Sequence, residues 1–266
     1  MKNSSEPNPK TMPILFIGHG TPMNAIAKND YTETLNLLGA SLPAPKAILT
    51  ISAHWLTNGT FITSTDTPKI IYDFYGFPDE LYKVTYPAPG SEKMALEIQK
   101  SLTETEIQLD NGSWGFDHGT WSVLKHLFPK AEVPVLQLSI DIRKSPENHL
   151  NLGHQLARLR EQGILIVASG NIVHNLRSFS WRETDDVYPW AEEFDSWVKK
   201  QLLERNFAAL ATEYNKTEAG RMSVPSLDHY LPLLHIAGAS RKEDKLRFVY
   251  EKIQNASIAM RSFIFE

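Results

Sequence analysis

Four short apolar runs constrain the fold of this chain more than any other feature. "PILFIG" (13–18), "KAILTISA" (46–53), "VPVLQLSI" (133–140) and "GILIVASG" (163–170) are rich in Ile, Leu and Val and are bounded by Pro or Gly. Continuous apolar runs of this length read as strands buried on both faces. Segments with helical spacing lie between and after them: "SEKMALEIQKSL" (91–102), "HGTWSVLKHLF" (118–128), "SPENHLNLGHQLARLREQ" (145–162) and "AEEFDSWVKKQLLERN" (191–206). In the second, Trp121, Leu124 and Phe128 share a face. The third opens on Ser145-Pro146-Glu147, a cap, a first-turn proline and an acidic first turn. "HYLPLLHIAGAS" (229–240) reads as a helix starting near Asp228 and kinked or delayed by Pro232, and "SIAMRSFIFE" as a final strand. This alternation predicts a single α/β domain with a mostly parallel central sheet flanked by helices. No internal repeat, low-complexity segment or linker divides the chain. The expected organisation is a polar tail over 1–11 and one domain over 12–266.

Composition then narrows the chemistry. The 266 residues include no cysteine, which excludes disulfides, thiolate nucleophiles and cysteine-ligated zinc. Any metal must be held by His, Asp or Glu. The net charge of −4 and scattered Lys and Arg provide no basic stripe for nucleic acid. No stretch approaches the ~20 apolar residues of a membrane span, and "MKNSSEPNPKT" has no apolar core of a signal peptide. The expectation is a cytoplasmic protein without nucleic-acid or membrane partners.

The histidines are the informative titratable residues. His19 follows the first run, His54 the second, and His174 the fourth. In parallel α/β sheets the carboxyl ends of the strands line one edge, where ligands bind. Three histidines just beyond three strands therefore converge on one cleft. His229 sits at a predicted helix start, and His118 in a turn flanked by Gly and Trp. His126, His149, His154 and His235 fall inside helices and read as structural. A lone histidine beside a strand is usually a hydrogen-bonded structural residue. The co-occurrence of five loop histidines points instead to a transition metal bound through neutral imidazoles. A serine hydrolase built on "VASGN" lacks the G-x-S-x-G elbow.

"GHGTPMN", "SAHW", "YPAPGS", "WGFDHGTW", "LQLSI", "ASGNIVHN" and "HYLPLL" follow one another along the chain. In these motifs, from about Met12 to the C-terminus, the sequence resembles the bacterial members of the DOPA 4,5-dioxygenase family of class III extradiol ring-cleavage dioxygenases. The resemblance implies that His19, His54 and His229 are metal ligands. It places His174 at the metal, as acid/base or additional ligand, and makes His118 a substrate-side proton handler. The wider superfamily has a carboxylate where His229 stands, and adjacent Asp228 is a poor substitute because neighbours seldom point the same way. An all-histidine set suits one divalent metal per chain, with Zn2+ as the bound species and Fe2+ expected for dioxygenase activity. The implied partners are a catechol and O2, with L-DOPA opening at the 4,5 bond to seco-DOPA, in a monomer or small homo-oligomer. A zinc hydrolase using the same histidines is the rival reading. Gly18 and Gly20 are expected to clear space at the metal, and Trp55, Trp114 and Phe116 to wall an aromatic ring.

Overall fold

The protein is described from a computed structural model that covers residues 11–182 and 186–266. The proposed tail therefore lies, but for Thr11, outside the described residues. The first half of the domain comprises β1 (Ile14–Gly18), α1 (Asp30–Ser41), β2 (Ala47–Thr57), β3 (Thr60–Ile62), α2 (Glu92–Ser101) and β4 (Ile107–Leu109). The middle comprises α3 (His118–Leu127), β5 (Val135–Asp141), α4 (Pro146–Leu156), β6 (Ile164–Gly170) and α5 (Pro189–Leu203). The remainder is α6 (Phe207–Thr212), α7 (Glu218–Ser223), α8 (Leu231–Ala239), β7 (Leu246–Tyr250), β8 (Ile253–Gln254), β9 (Ile258–Ala259) and β10 (Ser262–Phe265).

Eight strands form one sheet in the order β4-β3-β5-β2-β6-β1-β10-β7. Its centre, β5-β2-β6-β1, is parallel, as the four apolar runs predict. The flanks carry the antiparallel pairs: β3 on β5, β10 on β1, and β7 on β10. Every residue of β1, β5 and β6 is buried. Successive residues feed opposite faces, as the pleat requires. In β1, Ile14 and Phe16 join the core beneath α2, α4, α5 and α8, while Leu15 and Ile17 join the core beneath α1 and α3. The α8 helix is buried along its whole length and packs against α4, so it has no polar face to display.

Two expected boundaries shift. The last long helix begins at Leu231 rather than near Asp228, with Pro232 in its first turn, where no hydrogen bond is lost. Asp228–Tyr230 is thereby left as a turn that presents His229. The second strand runs on to Thr57, past the expected end at Ala53, and its register with β5 shifts between Ile51 and Leu56. His54 lies inside that irregular stretch. No helix among the described residues is long and apolar enough to cross a membrane.

Candidate metal centre

His19 is the first residue past β1, anchored by its N–H to the Gly170 carbonyl at the end of β6 (3.1 Å). Gly20 turns the chain there with φ +62°. A Cβ on Gly18 would stand 2.7 Å from the Met260 backbone, and one on Gly20 2.5 Å from Met260 Sδ. The two glycines therefore make room for Met260, which corrects the expectation that they clear the metal. The turn bearing His229 lies against β6, where Asn171 N–H donates to the His229 carbonyl (2.9 Å).

The rings of His19 and His229 are held by Nδ1, and that of His54 has a carboxylate beside its Nδ1. His19 Nδ1 contacts Ser169 Oγ (2.9 Å), His229 Nδ1 contacts Asp228 Oδ2 (2.6 Å), and His54 Nδ1 contacts Asp73 Oδ2 (3.2 Å). In the tautomer that protonates Nδ1, His19 and His229 donate to Ser169 and Asp228 and keep a lone pair on Nε2, while His54 Nδ1 only approaches Asp73, whose Oδ2 bonds His118. One ligating atom from each of His19, His54 and His229 falls within 4.8 Å of the others. His19 Nε2 and His54 Nε2 are 3.2 Å apart. Two bare lone pairs at that distance repel one another, whereas a shared cation removes the conflict. Nitrogens ~2.1 Å from a tetrahedral cation lie about 3.4 Å apart, so the gap has the dimensions of a metal site. Burial, followed by the charges of neighbouring histidines, holds His19 and His54 well below the ordinary histidine range. Both are thus kept in the neutral form a metal requires.

The other two loop histidines join the same cluster differently. His174 stacks flat on His229, with centroids 3.5 Å apart and planes 7° from parallel, and it is not among the three converging donors. Burial and then His229 depress its basicity. His118 is the first residue of α3 and packs against the His54 ring, with centroids 4.0 Å apart. Its backbone N–H donates to Asp73 Oδ1 and its Nδ1 contacts Asp73 Oδ2, both at 2.9 Å. Burial alone would raise the Asp73 carboxyl, but the bonds from His118 hold it below its ordinary value.

Asp73 is the residue that sequence reasoning missed. It sits in "IYDFYGFP", a loop without periodicity, 45 positions from His118. The adjacent Asp117 does not orient the imidazole. It caps α3 by accepting from Thr120 N–H (3.2 Å) and takes a bond from Ser52 Oγ (2.6 Å) and another from Gln137. Burial, then Asp73, pushes its carboxyl up despite these bonds.

A cavity of about 450 Å³ opens over the cluster, bordered by His19, His54, His118, His174 and His229. Its aromatic wall is Phe74, Phe77, Phe179 and Trp181. Trp55, Trp114 and Phe116 do not line it, contrary to expectation. Trp55 and Trp114 stack on each other with centroids 5.7 Å apart, and Phe116 is fully buried in the core under α1 and α3. Strand alternation explains Trp55, because the residue after an inward-facing His54 points to the other face.

Fold and site together define an α/β protein with a histidine cluster that could hold a metal at the carboxyl edge of its parallel strands. The chain belongs to the family described as the catalytic LigB subunit of aromatic ring-opening dioxygenase, whose model matches residues 13–265. It is thus a non-haem, metal-dependent dioxygenase of the extradiol type. It is 44% identical over 253 residues to an Escherichia coli K12 protein named 4,5-DOPA dioxygenase extradiol, covering 94% of this chain and 93% of that one. A Beta vulgaris protein of the same name is 34% identical over 257 residues, covering 94% and 95%. A crystal structure of an Escherichia coli K12 protein superposes with a TM-score of 0.84 at 41% identity, over 96% of this chain and all of that one.

Proposed function

We propose that the protein opens a catechol ring outside the diol, using O2, at one divalent metal held by His19, His54 and His229. The carrying observation is the convergence of one ligating atom from each of three histidines within 4.8 Å, with Nδ1 of His19 and His229 bonded elsewhere. The named relatives favour L-DOPA as a substrate, cleaved at the 4,5 bond to seco-DOPA. Bound Fe2+ supplies the electron path between ring and O2, which redox-inert Zn2+ does not. Both oxygen atoms remain in the product, so no external reductant is consumed.

The protein's own residues bind, orient and move protons. Phe74 meets the His118 ring edge-on at 5.6 Å and, with Phe77, gives the catechol an apolar face on which to lie. His118 keeps its Nδ1 on Asp73, which leaves Nε2 to take a phenolic proton and later return it. His174, flat on His229, offers a second nitrogen at the same cavity for the acid step.

The test is O2 uptake by iron-reconstituted protein across a panel of catechols. Consumption of one O2 per catechol, with a new visible chromophore from the opened ring, is expected. The same all-histidine trio would suit a zinc hydrolase, so the assay is repeated without O2. Activity that survives anaerobically with the zinc-loaded protein would overturn the reading.

A further inference from the structure

The cavity differs at its two ends. At the metal end, the five histidines and Phe74 surround the place where a catechol would bind. At the solvent end stand Leu176, 64% exposed, and Trp181, 91% exposed, with Trp181 edge-on to Phe179 at 5.1 Å. The rest of the lining adds Ile258 and the neutral polar groups of Thr21, Gln254 and Asn255. Among the described residues no Lys, Arg, Asp or Glu lines it. The cations nearest in sequence to the rim, Arg177 and Arg182, are exposed and lie outside the lining.

We infer that the cavity selects catechols whose ring substituent is uncharged and apolar over those with a zwitterionic amino-acid chain. This refines the ring-cleavage reading above and rests on it. A zwitterionic chain entering this mouth gives up water around an ammonium and a carboxylate and meets no opposite charge among the described lining residues. Charges removed from water without a partner are costly. An alkyl or aryl chain instead covers Leu176 and Trp181, whose large apolar surfaces otherwise face water. L-DOPA is then a substrate that the site accepts through its ring and tolerates poorly through its tail.

The test compares 4-propylcatechol with L-DOPA, which shares its three-carbon chain, on the iron-loaded enzyme. The neutral compound is expected to lead in kcat/KM by about 10-fold or more, chiefly through KM, the scale on which small apolar groups discriminate. Dopamine and 3-(3,4-dihydroxyphenyl)propionate should fall between the two. Trp181→Ala should narrow the ratio, and Leu176→Arg, which places a guanidinium at the rim, should raise kcat/KM for L-DOPA several-fold. Equal or better use of L-DOPA by the unmodified enzyme overturns the inference. Calorimetric affinities of the same two compounds for zinc-loaded protein give a readout without turnover. The ranking there should match, and equal affinities would also overturn it. If that ranking holds while no catechol consumes O2, ring cleavage fails and the selectivity stands.

Discussion

The molecule buries histidines in two places, and only one of them gathers three donors at a common point. Around the carboxyl edge of the sheet, His19 and His229 bond through Nδ1 to Ser169 and Asp228, His54 Nδ1 lies 3.2 Å from Asp73, and a ligating atom of each ring comes within 4.8 Å of the others. Between α4 and α8, His149 and His235 are equally buried, and desolvation keeps both below the ordinary histidine range, His149 at about 4. There the nitrogens are spent differently. His235 Nδ1 lies 3.1 Å from the Leu231 carbonyl, and His235 Nε2 lies 3.3 Å from His149 Nδ1. At most one nitrogen, His149 Nε2, is left over, and one donor does not hold a metal. Burial and depressed basicity are thus common to a helix-to-helix tie and to a metal centre. What separates them is several donor nitrogens gathered at one point, with polar partners behind the rings.

The sharpest way to break this distinction is metal analysis of paired variants. His19→Ala and His54→Ala should lose bound metal and all ring cleavage, whereas His149→Leu and His235→Leu should keep one metal per chain. Unchanged metal in the first two would remove the contrast. His118→Ala should retain metal and lose about 10²–10⁴-fold in turnover, the usual contribution of a general acid–base group. Full turnover in that variant at full iron occupancy would reduce His118 to the first residue of α3. Asp73→Asn and Asp228→Asn weaken the acceptor behind a ligand, and chelator competition should show metal affinity falling by about 10–100-fold.

The two clusters should act alike in acid. Burial lowers the basicity of His19, His54, His174, His149 and His235 in the folded chain, while the unfolded chain titrates near 6.5. Below that pH the unfolded state binds more protons, so the apoprotein loses stability as pH falls. Its denaturation midpoint should drop between about pH 7.5 and 5.5, and a flat profile would show these rings to be protonated in the fold. The smallest effect belongs to the helix pair. His235→Phe should cost about 1–3 kcal/mol in urea unfolding by orphaning its partners, with activity per bound metal unchanged.

Much of the frame is legible in the sequence, because strands buried on both faces must be apolar throughout. The runs at β1, β2, β5 and β6 announce themselves, and with them the edge where His19 and His174 emerge and where His54 sits in the irregular last part of β2. The flanks are less legible. β3 and β4 are three residues each, too short for a period to register, and α1 has a weak apolar face, with Thr32 buried in it and Leu37 turned out to solvent. The aromatic wall is misread when proximity in sequence stands in for proximity in space. Trp55 neighbours His54 along a strand and so faces away, while Phe74 and Phe77 reach the cavity from a loop with no histidine. Asp73 was invisible for the same reason. Its contacts with His54 and His118 exist only after the loop folds over α3.

The pairing of β1 with β10 has a consequence for how the molecule comes into being. His19 follows the first strand, yet that strand is held on one side by β6 and on the other by β10, and Gly18 N–H donates to Ser262 Oγ 244 positions away. During synthesis the N-terminal portion of a domain emerges first and ordinarily begins to organise first. Here the opening strand must wait for the closing one before its two neighbours are both in place. Contacts spanning nearly the whole sequence slow folding. A chain interrupted before β10 would therefore leave the oldest part of the active site, rather than only its newest, without a neighbouring strand.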